Sequence, residues 1–176
     1  MAMKLLTTAT STNEATTTFT SGIDSTYKLY MFTITNFNPA TDDTELYFSG
    51  STDGGSNYGV SSTNVSWRSY IAEASGGATL EIAGYDLHNS TSDWTLAVGM
   101  GSDADQGTSA IMWVFNPSNT TYVKHILCQA NDVNQNDHHY KYKTDGYFNT
   151  TSAIDAFRFK ASSGNHDAII KLYGVS

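Results

Sequence analysis

From Ser25 onward the chain alternates. Short runs of apolar and polar residues in turn follow one another, each closed by glycine, asparagine, aspartate or serine. A period of two sends successive side chains to opposite faces of an extended strand. No segment carries the i, i+3, i+4 apolar spacing of a capped helix. The runs are STYKLYMFTITNF, a short strand at Leu46–Phe48, VSWRSYIAE, TLEIAG, TLAVGMG, SAIMWVFNP, YVKHILCQA, HHYKYKTDGYF and the C-terminal stretch. Separators such as HNSTSD, DADQG and NDVNQND are turn chemistry. About ten strands and no helix predict an all-β protein, a jelly-roll-like antiparallel β-sandwich. Residues 1–25 are Thr-rich and read as an N-terminal arm with one edge strand, ATTTFT; residues 26–176 read as a single sandwich domain.

The C-terminal stretch IDAFRFKASSGNHDAIIKLYGVS predicts two strands and a turn. Phe157, Phe159 and Ala161 alternate with Arg158 and Lys160. Ala168, Ile170 and Leu172 alternate with Ile169, Lys171 and Tyr173. The spacing predicts a hairpin that closes the core. Apolar groups on both faces predict a central strand, or one covered by a second sheet or subunit. Asp53-Gly54-Gly55 is a second hairpin signal. In VSWRSYIAE, the residues Val65, Trp67, Ser69 and Ile71 share a face.

At 176 residues the chain can bury a core without a disulfide or metal staple. Charged residues make up 15%, against about 25% in an average domain. Net charge is −8, which opposes direct binding to nucleic acid or an anionic membrane. The opening residues lack the apolar core of a signal peptide, and no apolar run reaches the ~20 residues of a membrane span. The four sequons, at Asn64, Asn89, Asn119 and Asn149, therefore read as chance in an Asn/Ser/Thr-rich chain.

Catalytic chemistry finds little support. Cys128, the single cysteine, lies in the apolar run HILCQA and reads as a buried hydrophobe. Asp103-Ala104-Asp105-Gln106-Gly107 has the first spacing of a calcium loop, but Thr108 and Val114 stand where an EF-hand needs its glycine and its final acid. A looser calcium site would draw on Asp42, Asp43, Asp53, Asp103 or Asp105. Adjacent His138 and His139 point to opposite faces of a strand, and His88, His125 and His166 are scattered, so no zinc set is predicted. Glu14, Glu45, Glu73 and Glu81 supply no evident glycosidase pair. Neither a nucleophile elbow nor a phosphate loop is present; Gly54-Gly55 and Gly76-Gly77 lack the following Lys-Ser/Thr. The sequence thus predicts no enzyme, no cofactor and no metal. Carbohydrate is the more serious ligand: the chain holds 11 Tyr and 3 Trp, and Asn131–Tyr147 mixes Asn, Asp, His and Tyr. Tyr140, Tyr142 and Tyr147 are the candidate glycan contacts.

Two segments resemble a family. PATDDTELYFSGSTDGGSNY, Pro39 to Tyr58, and FRFKASSGNHDAIIKLYG, Phe157 to Gly174, are similar to segments of small virion structural proteins of tailed, particularly marine, bacteriophages. There an early strand leads into P-A-T-D … L-x-x-x-x-S-x-D-G-G-S-x-Y. The chains close on F-x-F-x-x-S-x-G-N-x-x-x-G-x-I-x-L-Y-G. Ala168 stands where the family usually has glycine. The likeness covers most of the chain after about Ser25. It implies a β-sandwich virion component without an active site, and leaves the position on the particle open.

Two functions follow from the resemblance. The first is a capsid decoration (cement) protein on the capsid exterior, made in the host cytoplasm. It would be a homotrimer that binds the major capsid protein and clamps neighbouring subunits. Leu5, Leu6, Phe19 and Ile23, the large apolar groups of the arm, are its expected interface residues. The alternative is a tail fibre or receptor-binding module that recognises host surface glycans. It ranks second because an arm of about 25 residues leaves little room for a shaft.

Overall fold

The computed structural model describes residues 2–72, 78–82 and 84–176; of Ala72 and residues 78–82 it describes the backbone alone. The expectations placed on Glu73, on Gly76-Gly77 and on the Glu81 side chain lie outside the described residues. No helix occurs among the described residues. Thirteen strands do: β1 (Met3–Glu14), β2 (Thr17–Phe19), β3 (Leu29–Pro39), β4 (Thr44–Ser51), β5 (Ser62–Ala72), β6 (Ala78–Ile82), β7 (Leu87–Ser90), β8 (Trp94–Met100), β9 (Gly107–Phe115), β10 (Lys124–Val133), β11 (His138–Phe148), β12 (Ala156–Ala161) and β13 (His166–Val175).

They form two antiparallel sheets. The large one has nine strands in the order β1-β13-β3-β9-β10-β11-β5-β6, with β7 also paired to β5; the small one has four, β2-β12-β4-β8. This is the expected sandwich, but the unequal sheets do not establish a jelly-roll order. Between them lies an aromatic core. Phe32, Phe48, Trp94, Phe148, Phe157 and Phe159 are all fully buried. Their rings meet mostly edge-on or tilted, as at Phe32–Phe157 (5.5 Å) and Phe48–Trp94 (6.2 Å), the arrangement that ring quadrupoles favour.

Two predicted hairpins are corners instead. β12 and β13 do not pair with each other. β12 lies between β2 and β4 in the small sheet, whereas β13 lies between β1 and β3 in the large one. Ser162–Asn165 therefore carries the chain across the sandwich, with Gly164 at φ +73°. Asp53-Gly54-Gly55 likewise leads from β4 in the small sheet to β5 in the large one. There Asp53 Oδ1 accepts bonds from the Asn57 amide (2.9 Å) and the Ser51 hydroxyl (2.7 Å), and Asp155 accepts from the Gly54 amide (2.9 Å). Bonds from Asn57 and Ser51 hold the Asp53 carboxyl down at about 2. Turn residues specify a reversal of the chain; whether the next strand pairs with the last is set by which sheet buries its apolar face.

The Thr-rich N-terminal residues supply an edge strand to each sheet. β1 pairs with β13, with Met3 opposite Val175, and β2 pairs with β12, with Phe19 opposite Phe157. Where β11 pairs with β5 the backbones run close: a Cβ on Gly146 would run into the Thr63 carbonyl oxygen. Gly146→Ala is expected to lose about 1–3 kcal/mol in urea unfolding, because backbone must move to admit the methyl.

Candidate functional site

The outward faces of the two sheets differ. On the small sheet, Asp93 takes Arg158 at 3.1 Å and Lys160 at 2.9 Å. Lys160 also lies 5.7 Å over the Tyr47 ring, and Arg158 4.5 Å over Tyr58. Burial pushes the Asp93 carboxyl up, but the Lys160 bond and the two cations outweigh it and hold it below the ordinary range. This face is closed by its own charges.

The large sheet turns apolar groups outward. Register sets Leu5, Tyr173, Met31 and Trp113 side by side across β1, β13, β3 and β9, and the row continues through Leu127, Asp145 and Val65 on β10, β11 and β5. A second row runs Lys171, Thr33, Ile111, Gln129, Lys143, Trp67. Leu127 is 41% exposed, Ile111 42%, Trp67 42% and Val65 52%. Met31 faces the same way yet is buried, its register neighbours being the Trp113 and Tyr173 rings. Lys141, Lys143 and Lys171 stand on this face with Asp145, which pairs with Lys143 at 3.1 Å. Asp167 also faces outward at the start of β13, so among the described residues the face carries a small excess of cations on a chain of net charge −8. Two open depressions mark it, sharing Gln129. One, about 360 Å³, is lined by Thr33, Thr35, Ser109, Ile111, Trp113 and Asn131; the other, about 250 Å³, by Trp67, Ser69, Lys141 and Lys143.

β5 explains how this surface arises. The face that holds Val65, Trp67, Ser69 and Ile71 points to solvent. In its first half the inward residues are polar and buried, Ser62, Asn64 and Ser66; Arg68 and Tyr70 follow, Tyr70 packed on the core. Each of the first three has a partner, while Asn64 Nδ2 has none among the described residues. Ser62 Oγ accepts from Trp94 Nε1 at 2.8 Å, Ser66 and Thr144 share a hydroxyl bond of 2.9 Å, and Asn64 Oδ1 accepts from the Leu87 amide at 2.7 Å. The usual polarity of a half-buried strand is inverted there.

The expected interface residues divide. Leu5 stands on the outward face, 48% exposed. Leu6, bulged out of the β1–β13 register, packs on the core. Phe19 and Ile23 are buried in the chain's own core, Phe19 with its ring 5.1 Å from Phe32; they have no surface to offer a second subunit. The three tyrosines form no common platform. Tyr140 and Tyr142 point inward and are buried, the Tyr142 hydroxyl donating to the Val98 carbonyl at 2.9 Å. Tyr147 is on the other side of the same strand, 5.9 Å from His125. The aromatic groups that do meet solvent beside the depressions are Trp67 and Trp113, which the sequence reading did not single out as contacts. Their period-two spacing with Val65 and with Ile111 was visible; the direction they face was not.

Other candidates carry no reactive geometry. Burial pushes the Cys128 thiol up to about 12. Lys124 is wholly buried and donates to the carbonyls of Tyr122 (2.7 Å) and Thr150 (3.1 Å); burial lowers its pKa. Asp103 and Asp105 form a tight turn closed by the Gln106 amide on the Asp103 carbonyl at 3.0 Å. Among the described residues no group of three or more His, Cys, Asp or Glu side chains is placed to hold a metal ion. No helix among them is long and apolar enough to cross a membrane.

No protein-family model, curated protein or solved structure matches the chain.

Proposed function

We propose that the protein is a structural component of a bacteriophage virion, a capsid decoration protein that binds the major capsid protein through the outward face of its large sheet. The observation that carries the reading is the belt of exposed apolar groups in two rows, Leu5, Leu127 and Val65 in one and Ile111 and Trp67 in the other, with Asp145, Gln129 and Lys143 set among them. At about 4.8 Å spacing, seven strands of some eight residues present a face of roughly 750 Å², of which the two rows occupy about half. Covered on both partners, the whole face is about the size of a standard stable interface. Exposed aliphatic groups, Leu5, Leu127, Val65 and Ile111, stand among the rings and polar residues, and such area fits a protein surface better than a sugar. The lysines of this face suit an acidic or carbonyl-rich partner. Binding of this kind stabilises an assembled shell by mass action, since separated capsid subunits lack the composite surface. The motif segments that resemble phage virion proteins support the placement on a particle.

One observation favours the second reading, a tail fibre or receptor-binding module. Trp67 and Trp113 flank depressions that also offer Gln129, Asn131 and Lys141, groups suited to stacking on a sugar ring and bonding its hydroxyls. Immunogold labelling of intact virions, with antibody raised against this chain, separates the two. Label over heads is the expected result. Label confined to tail tips moves the assignment to glycan recognition, and particles without label overturn both. In a companion test, Ile111→Glu with Leu127→Glu is expected to keep the melting temperature within a few degrees, because both sites are exposed. Retention on purified heads should be lost. Retention at the level of the unmodified chain would remove the belt as the contact.

A further inference from the structure

The large sheet ends in an open strand. A sheet edge presents unpaired N–H and C=O groups, and natural edges are shortened, covered or charged to prevent pairing with another chain. Most edges of this protein follow that practice. β2 has three residues and β7 four. β8 is covered from the large sheet: the Gln135 amide donates to the Gly99 carbonyl at 3.1 Å, Tyr142 donates to Val98 at 2.9 Å, and Met100 makes a bridge to Asn134.

β1 differs. It is 12 residues long and has β13 as its one ladder partner. No hydrogen bond from another element reaches the backbone of Thr7–Ser11 on its free side among the described residues. Between Leu5 and Asn13 it contains neither a charge nor a proline. Irregularities fall between Leu5 and Thr7 and between Ser11 and Glu14, so the regular stretch is Thr7–Ser11, facing Leu172–Ala168.

That stretch is symmetric about Ala9. We infer that a second copy of this chain adds to the β1 edge across a two-fold axis at Ala9, joining two large sheets into one. Antiparallel pairing about Ala9 sets Thr8 opposite Thr10 of the second copy and Thr7 opposite its Ser11. Thr8 and Thr10 are exposed on the outward side, whereas Thr7, Ala9 and Ser11 turn inward, so like faces meet as an antiparallel ladder requires. Opposed Thr–Thr and Thr–Ser pairs are favourable across strands. Lys4 and Glu14 flank the regular stretch, and the two-fold brings each Lys4 towards a Glu14 of the other copy. The charge pattern is complementary to itself. Main-chain bonds supply the affinity, as in other strand additions. An isologous contact of this kind closes at two copies, rather than the three that the resemblance implies. It leaves the outward face of the large sheet free, and it stands or falls separately from the virion assignment.

Sedimentation equilibrium and light scattering of the full chain test it. The expected results are a dimer for the unmodified chain and a rise of about tenfold or more in its dissociation constant for Thr8→Lys/Thr10→Lys, which sets like charges opposite each other. Thr8→Lys/Thr10→Glu sets opposite charges there and should restore the dimer. Ile111→Glu/Leu127→Glu should leave association unchanged. A monomer at high micromolar concentration, a trimer, or a dimer broken by the Ile111/Leu127 variant overturns the proposal. Hydrogen exchange on the unmodified chain tests it without substitution: amides in Thr7–Ser11 should gain protection as concentration rises. Exchange there that is independent of concentration overturns it.

Discussion

Phe159→Asp is expected to leave no soluble folded protein. Phe159 is fully buried on β12, the strand at the centre of the small sheet, with ring centroids 5.3 Å from Phe32 and 5.2 Å from Phe48. Among the described residues the cations that stand over rings lie on Tyr140, Trp67, Tyr58 and Tyr47, not on these phenylalanines. An unpaired buried carboxylate either stays charged at a cost of several kcal/mol or takes a proton and remains unbonded. Lost packing adds about 3–5 kcal/mol, the range for phenylalanine truncation. The sum rivals the whole 5–15 kcal/mol that holds a typical domain together. Phe159→Ala, which carries the packing loss alone, should fold and lose about 3–5 kcal/mol in urea unfolding. A soluble aspartate variant with near-native stability would remove Phe159 from the core. This strand and its neighbour β13 were expected to close the core, and the test bears on that placement whichever turn joins them.

The second large effect concerns pH, through two buried groups of opposite sign. Burial pushes the Asp132 carboxyl up to about 7 from its ordinary 3.8; the Thr108 hydroxyl donates to Oδ1 at 3.0 Å, while Oδ2 has no partner. The folded state therefore holds a proton that the unfolded chain releases above about pH 4. This contribution is fully present below pH 4 and is lost as pH rises through 7. Burial pushes the His166 imidazole down to about 4 from 6.5; it stacks on Phe37 at 4.3 Å and bonds Thr17 through Nε2 at 2.8 Å. Its contribution is fully present above pH 6.5 and is lost as pH falls through 4. The windows overlap, so the two slopes largely offset each other in the unmodified chain. Asp132→Asn should expose the histidine slope, losing about 2 kcal/mol relative to the unmodified chain between about pH 7.5 and pH 5. His166→Gln should expose the carboxyl slope and gain about 2 kcal/mol over the same interval. Urea unfolding of all three proteins at the two pH values decides it. Parallel pH profiles would mean that neither group is buried as described.

Strand identity was legible because period two is a local signal. The run from Leu29 to Ile34, the Leu46–Phe48 segment and the alternation through Ile170 and Leu172 all read directly as strands. Sheet membership was not. Ser162–Asn165 and Asp53–Gly55 have the residues of tight turns, and a corner between sheets uses the same residues as a hairpin. β5 was legible as a strand but not in orientation, because the choice depends on hydroxyl and amide partners. Trp94, Thr144 and Leu87 bond Ser62, Ser66 and Asn64, and each is distant in sequence. The same long-range dependence hid the candidate surface. Trp113, Leu127 and Tyr173 come from three separate runs and meet only through register. Phe19 looked like an arm residue because its neighbours are threonines, which by themselves give no reason for burial; Phe32 and Phe157 supply one.

The placement of β12 and β13 has a consequence in time. Each enters its sheet between strands made much earlier: β13 between β1 and β3, β12 between β2 and β4. Neither sheet can be completed until Ala156–Val175 has been synthesised, and the ladder that sets Met3 against Val175 closes the longest loop in the chain. Pairings so distant in sequence are formed slowly, since loop entropy is lost before contacts repay it. The emerging chain must keep its early strands apart until the last two arrive, and a nascent β1 waits with both of its edges bare.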